Sequence, residues 1–224
     1  MSTRYGRGMM NLINGVDISY WGFVNFTKGL EGENYVAERL RSAGFQLVRN
    51  IYLTNEKLGR PTEIDILAVN KKGIFCIEVK NVSGIIEGNF RNQYWNLSSI
   101  NGTQRTILNP IVQNEIHVGA LEESLKGYSY KNIVIYGRAL SQLNLEDDPS
   151  QLYVFKVDRF IQAVAQSKDC LTREEVAKIC MYFDKFSDKT LERKMTHKEE
   201  LSSCEGKSAY EYFLRRHNDE LSRC

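Results

Sequence analysis

The chain has 224 residues, of which 42% are hydrophobic and 26% are charged, a composition typical of a globular protein with a sizeable core. Lysine and arginine (30) nearly balance aspartate and glutamate (28), so the formal net charge is only +2. This balance excludes a global positive field, and any nucleic-acid binding must depend on a local patch. No apolar run is long enough for a membrane span or a signal-peptide core, which predicts no membrane partner.

Five cysteines are scattered along the chain, with neither a CxxC pair nor a zinc-type spacing. An odd, dispersed set of this kind predicts reduced thiols and a cytoplasmic protein. Cys76 lies inside an apolar run that is predicted to be a buried strand.

Residues 1–28 form a mixed leader with an aromatic cluster that could pack on the main domain or on a second copy of the chain: Tyr20, Trp21, Phe23 and Phe26. The spacing of apolar residues predicts a helix over about residues 30–43, which Gly44 ends. A strand is predicted over residues 45–53.

Two apolar runs follow, at residues 63–69 and 74–80, and turn-forming residues separate them: Asn70, Lys71, Lys72 and Gly73. This pattern predicts a β-hairpin in which Asn70 pairs with Gly73. The register is the sensitive step, because a slip of one residue turns the side chains of a strand to its other face.

The predicted register places Asp65 opposite Glu78, and Glu63 opposite Lys80. Like charges directly opposite one another, with Cβ atoms about 5 Å apart, destabilise a hairpin unless a positive charge lies between them. A divalent cation held by carboxylate oxygens is the natural candidate. Lys80 shares a face with Glu78, so two acids and a lysine predict a metal-assisted hydrolytic site. The alternative is that these strand-end charges are simply solvated.

The second half of the chain predicts further elements. Residues 81–100 form a β excursion, and Asn109 with Pro110 begins a helix that runs to about Leu125. Strands are predicted over residues 131–136 and 152–157, with a helix from Asp158.

From Thr172 onward the sequence becomes charged and helical, and Thr172 with Glu175 has the form of a capping box. Acidic and basic residues are equal in number over residues 171–224, which argues against a basic nucleic-acid tail. A helical appendage that packs on the domain or on a second subunit is expected.

This order of elements, with acids on the second and third strands, resembles the PD-(D/E)XK nuclease superfamily and, more narrowly, the nuclease-related domain, NERD. The resemblance covers about residues 29–136 and is carried by short motifs in a shared order: Gly32-Glu33, Glu63-Ile64-Asp65, Ile77-Glu78-Val79-Lys80-Asn81, Gly84, Trp95, Asn109-Pro110, Gln113 and His117. It implies an α/β fold, with a mixed central sheet flanked by helices and a helical C-terminal appendage. The expected division is a leader (1–28), a nuclease-like domain (29–170) and the appendage (171–224).

The resemblance also implies roles for the hairpin residues. Asp65 and Glu78 would hold Mg²⁺ or Mn²⁺ together with the Val79 carbonyl, since magnesium needs few protein oxygens and retains several waters. The cation would lower the pKa of a bound water and stabilise charge on the scissile phosphate. Lys80 would orient the attacking water or neutralise developing charge.

Four further residues have roles that the sequence leaves more open. Glu33 either adds a carboxylate to the site or is a favourable acid in the first helical turn. Gln113 could contact a water or a phosphate, and His117 shares its helix face but is more often a hydrogen-bonded or surface histidine. Glu63 is expected to hold Lys80 across the strands.

The predicted activity is therefore Mg²⁺-dependent hydrolysis of phosphodiester bonds in nucleic acid, with DNA as the expected partner. A nuclease-like module that binds nucleic acid or protein without cleaving is the alternative. A third reading is a structural scaffold that forms a homo-oligomer through the leader or the C-terminal helices. Tyr94 and Trp95 could stack on bases, but packing within a β-hairpin explains them equally well.

Overall fold

The computed structural model describes residues 11–13, 16–18, 20–146, 153–188, 211–212 and 215–216. Two short antiparallel strands, β1 (Asn11–Ile13) and β2 (Val16–Ile18), precede a long helix, α1 (Tyr20–Ser42). The helix begins earlier than the sequence predicts and takes in part of the predicted leader. The side chains of the aromatic cluster at residues 20–26 lie outside the described part of the structure.

A five-stranded mixed sheet forms the centre of the molecule, in the order β11-β9-β5-β4-β3. Within this sheet β3, β4 and β5 are antiparallel neighbours. β9 adds in parallel on the other side of β5, and β11 adds in parallel to β9. The strands are β3 (Gln46–Asn55), β4 (Arg60–Asn70), β5 (Gly73–Lys80), β9 (Tyr130–Tyr136) and β11 (Val154–Lys156).

A second sheet of four strands has the order β10-β6-β7-β8, and Trp95 is fully buried beneath it. Its strands are β6 (Gly84–Asn89), β7 (Tyr94–Ser98), β8 (Gln104–Leu108) and β10 (Leu140–Glu146). The predicted β excursion accounts for β6 and β7, whereas β8 and β10 were not predicted.

Helices cover both faces of the central sheet. On one face α1 and α3 (Val157–Ala165) bury apolar side chains against the sheet, among them Leu40 and Phe160. On the other face α2 (Pro110–Ser124) and α4 (Arg173–Asp184) do the same, through residues such as Leu121 and Phe183. The predicted fold class, a mixed sheet flanked by helices, is confirmed.

Local sequence signals explain where two of these helices begin. The Asn109 side chain accepts a hydrogen bond from the backbone N–H of Ile111 at 3.0 Å, and Pro110 occupies the first helical position of α2. Thr172 and Glu175 form the predicted capping box at the start of α4. None of the described helices is both long and apolar enough to cross a membrane.

The β4–β5 hairpin positions the candidate site, and its predicted register is confirmed along the regular part of the ladder. Pairing runs from Asn70 with Gly73 to Ile66 with Ile77, and it ends there. The expected pair of Glu63 and Lys80 lies beyond that end. Glu63 instead pairs with Tyr52 of β3, and Lys80 pairs with Tyr136 of β9.

Candidate active site

The candidate site lies where β4 and β5 separate. Beyond the last pair of the ladder, Asp65 Oδ2 accepts a hydrogen bond from the backbone N–H of Val79 at 2.9 Å. The carbonyl of Lys80 accepts a hydrogen bond from Gly137 N at 3.0 Å, so the backbone of Lys80 faces β9. Backbone groups alternate in direction along a strand, and the carbonyl of Val79 therefore points toward β4 and the Asp65 side of the gap.

Lys80 links the end of β5 to the first turns of α2. Its Nζ lies 2.5 Å from Glu78 Oε1 and 2.8 Å from Gln113 Oε1. The Glu78 side chain is almost fully buried, whereas 23% of the Lys80 side chain is exposed. The structure thus brings together three of the predicted residues, with the ammonium group at the open side.

His117 lies one helical turn beyond Gln113 and contacts the other oxygen of the same glutamate. Its Nε2 is 3.3 Å from Glu78 Oε2, a polar contact that helps to lower the pKa of the glutamate. Its Nδ1 is hydrogen-bonded to Thr62 Oγ1 on β4, which holds the ring in place. Thr62 is buried and was not predicted, since no spacing rule connects a strand hydroxyl to a histidine on a distant helix.

The charges around Glu78 decide its protonation. Burial raises the pKa of its carboxyl group, but the positive charge of Lys80 and the contact with His117 outweigh this, and the pKa lies well below its ordinary value. Glu78 is therefore a buried carboxylate that stays ionised because its own chain supplies the counter-charge.

Glu33 lies in the middle of α1, so the alternative of an acid in the first helical turn is wrong. Its Oε2 lies 3.5 Å from Arg49 Nη2, and Arg49 Nη1 donates to Asn34 Oδ1 at 2.9 Å. Arg49 pairs with Ile66, the neighbour of Asp65 in β4. Glu33 is thus held beside the Asp65 strand through an arginine that the sequence did not single out.

Asn81 connects α1, β5 and the residues after β9. Its Nδ2 donates to the carbonyl of Lys28 at 2.7 Å. A Cβ atom added at Gly32 would lie 2.5 Å from Asn81 Cβ, and one added at Gly137 would lie 2.2 Å from Asn81 Oδ1. The Asn81 side chain therefore occupies a slot that exists only because both neighbours are glycine.

The donor set at the gap suits a divalent cation of the magnesium type. Among the described residues, no three His, Cys, Asp or Glu side chains form a metal-holding group. Magnesium is commonly bound through one or two carboxylates while it keeps several waters. Asp65 and Glu78, with the Val79 carbonyl, supply that kind of hard oxygen set.

The two aromatic residues of β7 have different environments. Trp95 is fully buried and donates from Nε1 to the carbonyl of Asn89 at 2.8 Å, so its role is packing of the second sheet rather than base stacking. Tyr94 is 47% exposed.

Comparison with known proteins places the chain in a family. The nuclease-related domain (NERD) profile matches residues 28–141, just over half of the chain. An uncharacterised protein of Bacillus anthracis is 30% identical over 98 residues, which cover 42% of this chain and 45% of the relative. The match thus spans less than half of that relative's length, and no solved structure matches the chain. The chain belongs to the nuclease-related domain family, within the PD-(D/E)XK nuclease superfamily.

Proposed function

We propose that the protein is a metal-dependent nuclease that hydrolyses phosphodiester bonds of nucleic acid, with DNA as its substrate. The observation that carries the proposal is the convergence of Glu78, Lys80 and Gln113 beside the gap where Asp65 leaves the ladder. Membership of the nuclease-related domain family supports the same chemistry.

Hydrolysis of a phosphodiester needs a positioned water and positive charge against the phosphate. A divalent cation held by Asp65, Glu78 and the Val79 carbonyl supplies positive charge and lowers the pKa of a coordinated water. Lys80 has three donors, of which Glu78 and Gln113 accept two, so the third is directed to a phosphate or water oxygen.

Gln113 is oriented by Lys80. An ammonium group can only donate, so the amide must present Oε1 to it, and its Nε2 hydrogens then face away from the lysine. Those two hydrogens are suited to bind a phosphate oxygen. His117, fixed by Thr62, holds the second oxygen of Glu78 and limits the rotation of that carboxylate.

The alternative is a nuclease-like module that binds nucleic acid or protein without cleaving. The direct ion pair between Lys80 and Glu78 favours it, because the lysine already neutralises the carboxylate that a cation needs. The net charge of +2 points the same way. Under this alternative Glu78 and Lys80 stabilise the fold and do not take part in catalysis.

One experiment separates the two. The protein is incubated with linear, circular and single-stranded DNA and with RNA, in Mg²⁺, Mn²⁺ or EDTA, beside Glu78→Gln and Lys80→Met purified in the same way. The proposal expects cleavage that needs a cation and is lost in both variants, which also excludes a contaminating nuclease. Binding of DNA in a gel-shift assay without cleavage under any condition would favour the binding module.

A further inference from the structure

The last residue of β9, Tyr136, carries a buried hydroxyl group that no described residue satisfies. The residue is 2% exposed, and its Oη has no hydrogen-bond partner in the part of the chain that the structure describes. Buried polar groups in folded proteins nearly always have a partner, which is often an ordered water. An unpartnered phenol at this depth therefore points to a ligand or a water.

The position of Tyr136 relates this hydroxyl to the candidate site. Tyr136 pairs with Lys80 in the parallel register of β9 and β5, and partners in a parallel ladder project their side chains on the same face. Glu78, two residues before Lys80, shares that face. Tyr136 also packs with Ile111 and Ile116 of α2, the helix that carries Gln113 and His117.

The environment keeps the phenol protonated. Burial raises the pKa of Tyr136, and the negative charge of Glu78 raises it further. The group is thus a hydrogen-bond donor at any pH at which a nuclease works.

Two other buried tyrosines provide a comparison. Tyr130, at the opposite end of β9, donates from Oη to the carbonyl of Leu125 at 2.9 Å. The Tyr212 Oη has no partner among the described residues, but a Cβ atom added at Gly119 would lie 1.9 Å from it, so it packs against the backbone of α2. Of the three hydroxyls, Tyr136 alone combines a missing partner with a place beside Lys80.

We propose that Tyr136 is a positioning residue of the active site, whose phenol donates a hydrogen bond to a water held between it, Lys80 and Glu78. Such a water accepts from the phenol and from the third donor of Lys80, and it donates to the Glu78 carboxylate. Three polar partners are what a buried water requires. The water would fix the lysine relative to the carboxylate, and the inference rests on the proposed nuclease function.

The test compares Tyr136→Phe with two control variants, Tyr130→Phe and Tyr212→Phe. Each change removes one hydroxyl and retains the ring. Measurements are kcat and KM for a DNA substrate with Mn²⁺, and melting temperatures with Mn²⁺ and with EDTA. The melting temperature gives a result that does not depend on activity.

For Tyr136→Phe we expect kcat to fall about tenfold or more, since a small misplacement of a catalytic group is costly. KM should stay within about twofold, because a loosened lysine affects the transition state rather than ground-state binding. Its melting temperature in EDTA should stay close to that of the wild type, since no direct hydrogen bond between protein groups is lost and the water keeps two partners. The rise in its melting temperature on addition of Mn²⁺ should be smaller than the rise in either control variant. Tyr130→Phe should melt lower and keep its kcat, and Tyr212→Phe should keep both its kcat and the Mn²⁺ shift.

A Tyr136→Phe protein with the kcat and Mn²⁺ shift of the wild type would overturn the inference and leave the proposed function intact. A variant that does not fold would also overturn it, because the hydroxyl would then be structural. A wild type without cleavage and without a Mn²⁺ shift would overturn the proposed function, and the inference with it.

Discussion

Asn50 of β3 lies directly opposite Asp65 of β4, at the one step where the ladder between these strands is interrupted. The flanking pairs are Arg49 with Ile66 and Ile51 with Ile64, so the two residues face each other without a regular pair. Asn50 has a φ of 52°, and it is the only non-glycine residue with a positive φ in the part of the chain that the structure describes.

Both strands change face at this step. Val48 and Ile51 contribute to one core cluster, and so do Ile64 and Leu67, although in each pair the residues are three apart. Regular strands repeat every two residues, so each strand contains one switch. The left-handed backbone of Asn50 supplies the switch in β3, and the matching step in β4 releases the Asp65 carboxylate to reach Val79 N–H.

Substitution of Asn50 tests whether the site depends on this backbone conformation. Asparagine and glycine tolerate a positive φ, whereas a β-branched residue does not. We expect Asn50→Val to lower the free energy of unfolding by about 1–3 kcal/mol and to reduce cleavage. Asn50→Gly should stay within about 1 kcal/mol of the wild type and remain active. Urea unfolding curves measure the first effect, and equal losses in the two variants would contradict the proposed role of φ.

The sequence predicts the parts of the fold that have strong local signals. The turn at Asn70–Gly73 and the apolar runs on either side of it define the hairpin, and Asn109 and Thr172 mark the helix starts. The strand β10 lacks such a signal, since most of its residues are exposed and polar. It forms by parallel pairing with the distant β6, which no local pattern shows.

The candidate site likewise contains residues that the sequence predicts and residues that it does not. The spacing of Glu78 and Lys80 within β5 predicts that they share a face, because the direction of side chains along a strand is a local property, and the two are in contact. Tyr136 reaches the site through β9, which is a neighbour of β5 in space and not in sequence. Asn50 lies on β3, directly before β4, but no sequence pattern marks its positive φ. Similarly, the sequence predicts that α4 is a helix, but its burial against the sheet depends on the assembled core.

The ion pair of Lys80 and Glu78 should shape the pH dependence of stability. The folded-state pKa of Glu78 is lowered, so the carboxylate stabilises the fold above its unfolded pKa, and this stability is lost as pH falls through the folded pKa. In Lys80→Met the largest lowering cause is gone and burial raises the pKa. Lys80→Met should therefore melt lower than the wild type near neutral pH, and the difference should shrink as pH falls, because a carboxyl group with a raised pKa is protonated in the folded protein first.

Melting curves between about pH 7 and 3 measure this difference. Arg39→Met is the matched control, because its ion pair with Asp158 is about half exposed and should contribute little. Parallel pH profiles for Lys80→Met and the wild type would show that the lysine does not determine the ionisation of Glu78.

A cation that binds only the folded protein should raise its melting temperature. The gain is RT ln(1 + [L]/Kd), about 2.7 kcal/mol at a hundredfold excess over Kd. We expect Mn²⁺ to stabilise the wild type and to have little effect on Glu78→Gln, which loses a carboxylate ligand. Glu87→Gln removes an exposed acid of β6 and should respond like the wild type. Equal Mn²⁺ shifts in all three proteins would exclude Glu78 as a ligand.

The close packing of Asn81 between Gly32 and Gly137 predicts that Asn81→Ala restores stability to one glycine variant and not to the other. Gly137→Ala should cost about 1–3 kcal/mol, because its Cβ would lie 2.2 Å from Asn81 Oδ1. Asn81→Ala removes that oxygen, so the double variant should lose much less than the sum of the two single variants. Gly32→Ala meets Asn81 Cβ, which alanine retains, and Asn81→Ala should not rescue it. Urea unfolding of the wild type, the single variants and the two double variants measures the coupling free energy of Asn81 with each glycine. Equal rescue of Gly137→Ala and Gly32→Ala would contradict this geometry.

Arg216 forms ion pairs with two acids of α2, one of which is a buried carboxylate. Its Nε lies 2.6 Å from Glu115 Oε1, and its Nη1 lies 2.8 Å from Glu122 Oε2. Glu115 is only 3% exposed, and its second oxygen accepts from Asn132 at 2.7 Å. Arg216→Met would remove the positive charge and the hydrogen bond that Arg216 gives this buried acid, and the amide of Asn132 offsets only part of its lost solvation.

The expected cost of Arg216→Met is about 1.5–3 kcal/mol, the range for a lost hydrogen bond to a charged group. The same change in a Glu115→Gln background should cost less, because the neutral amide of glutamine gains less from the arginine than a carboxylate does. Arg215 is exposed, so Arg215→Met should be nearly neutral. Equal losses of unfolding free energy in Arg216→Met and Arg215→Met would show that the ion pairs of Arg216 do not stabilise the fold. If Arg216→Met loses cleavage and Arg215→Met does not, the ion pairs of Arg216 also help to position Gln113 and His117, which lie on the same helix.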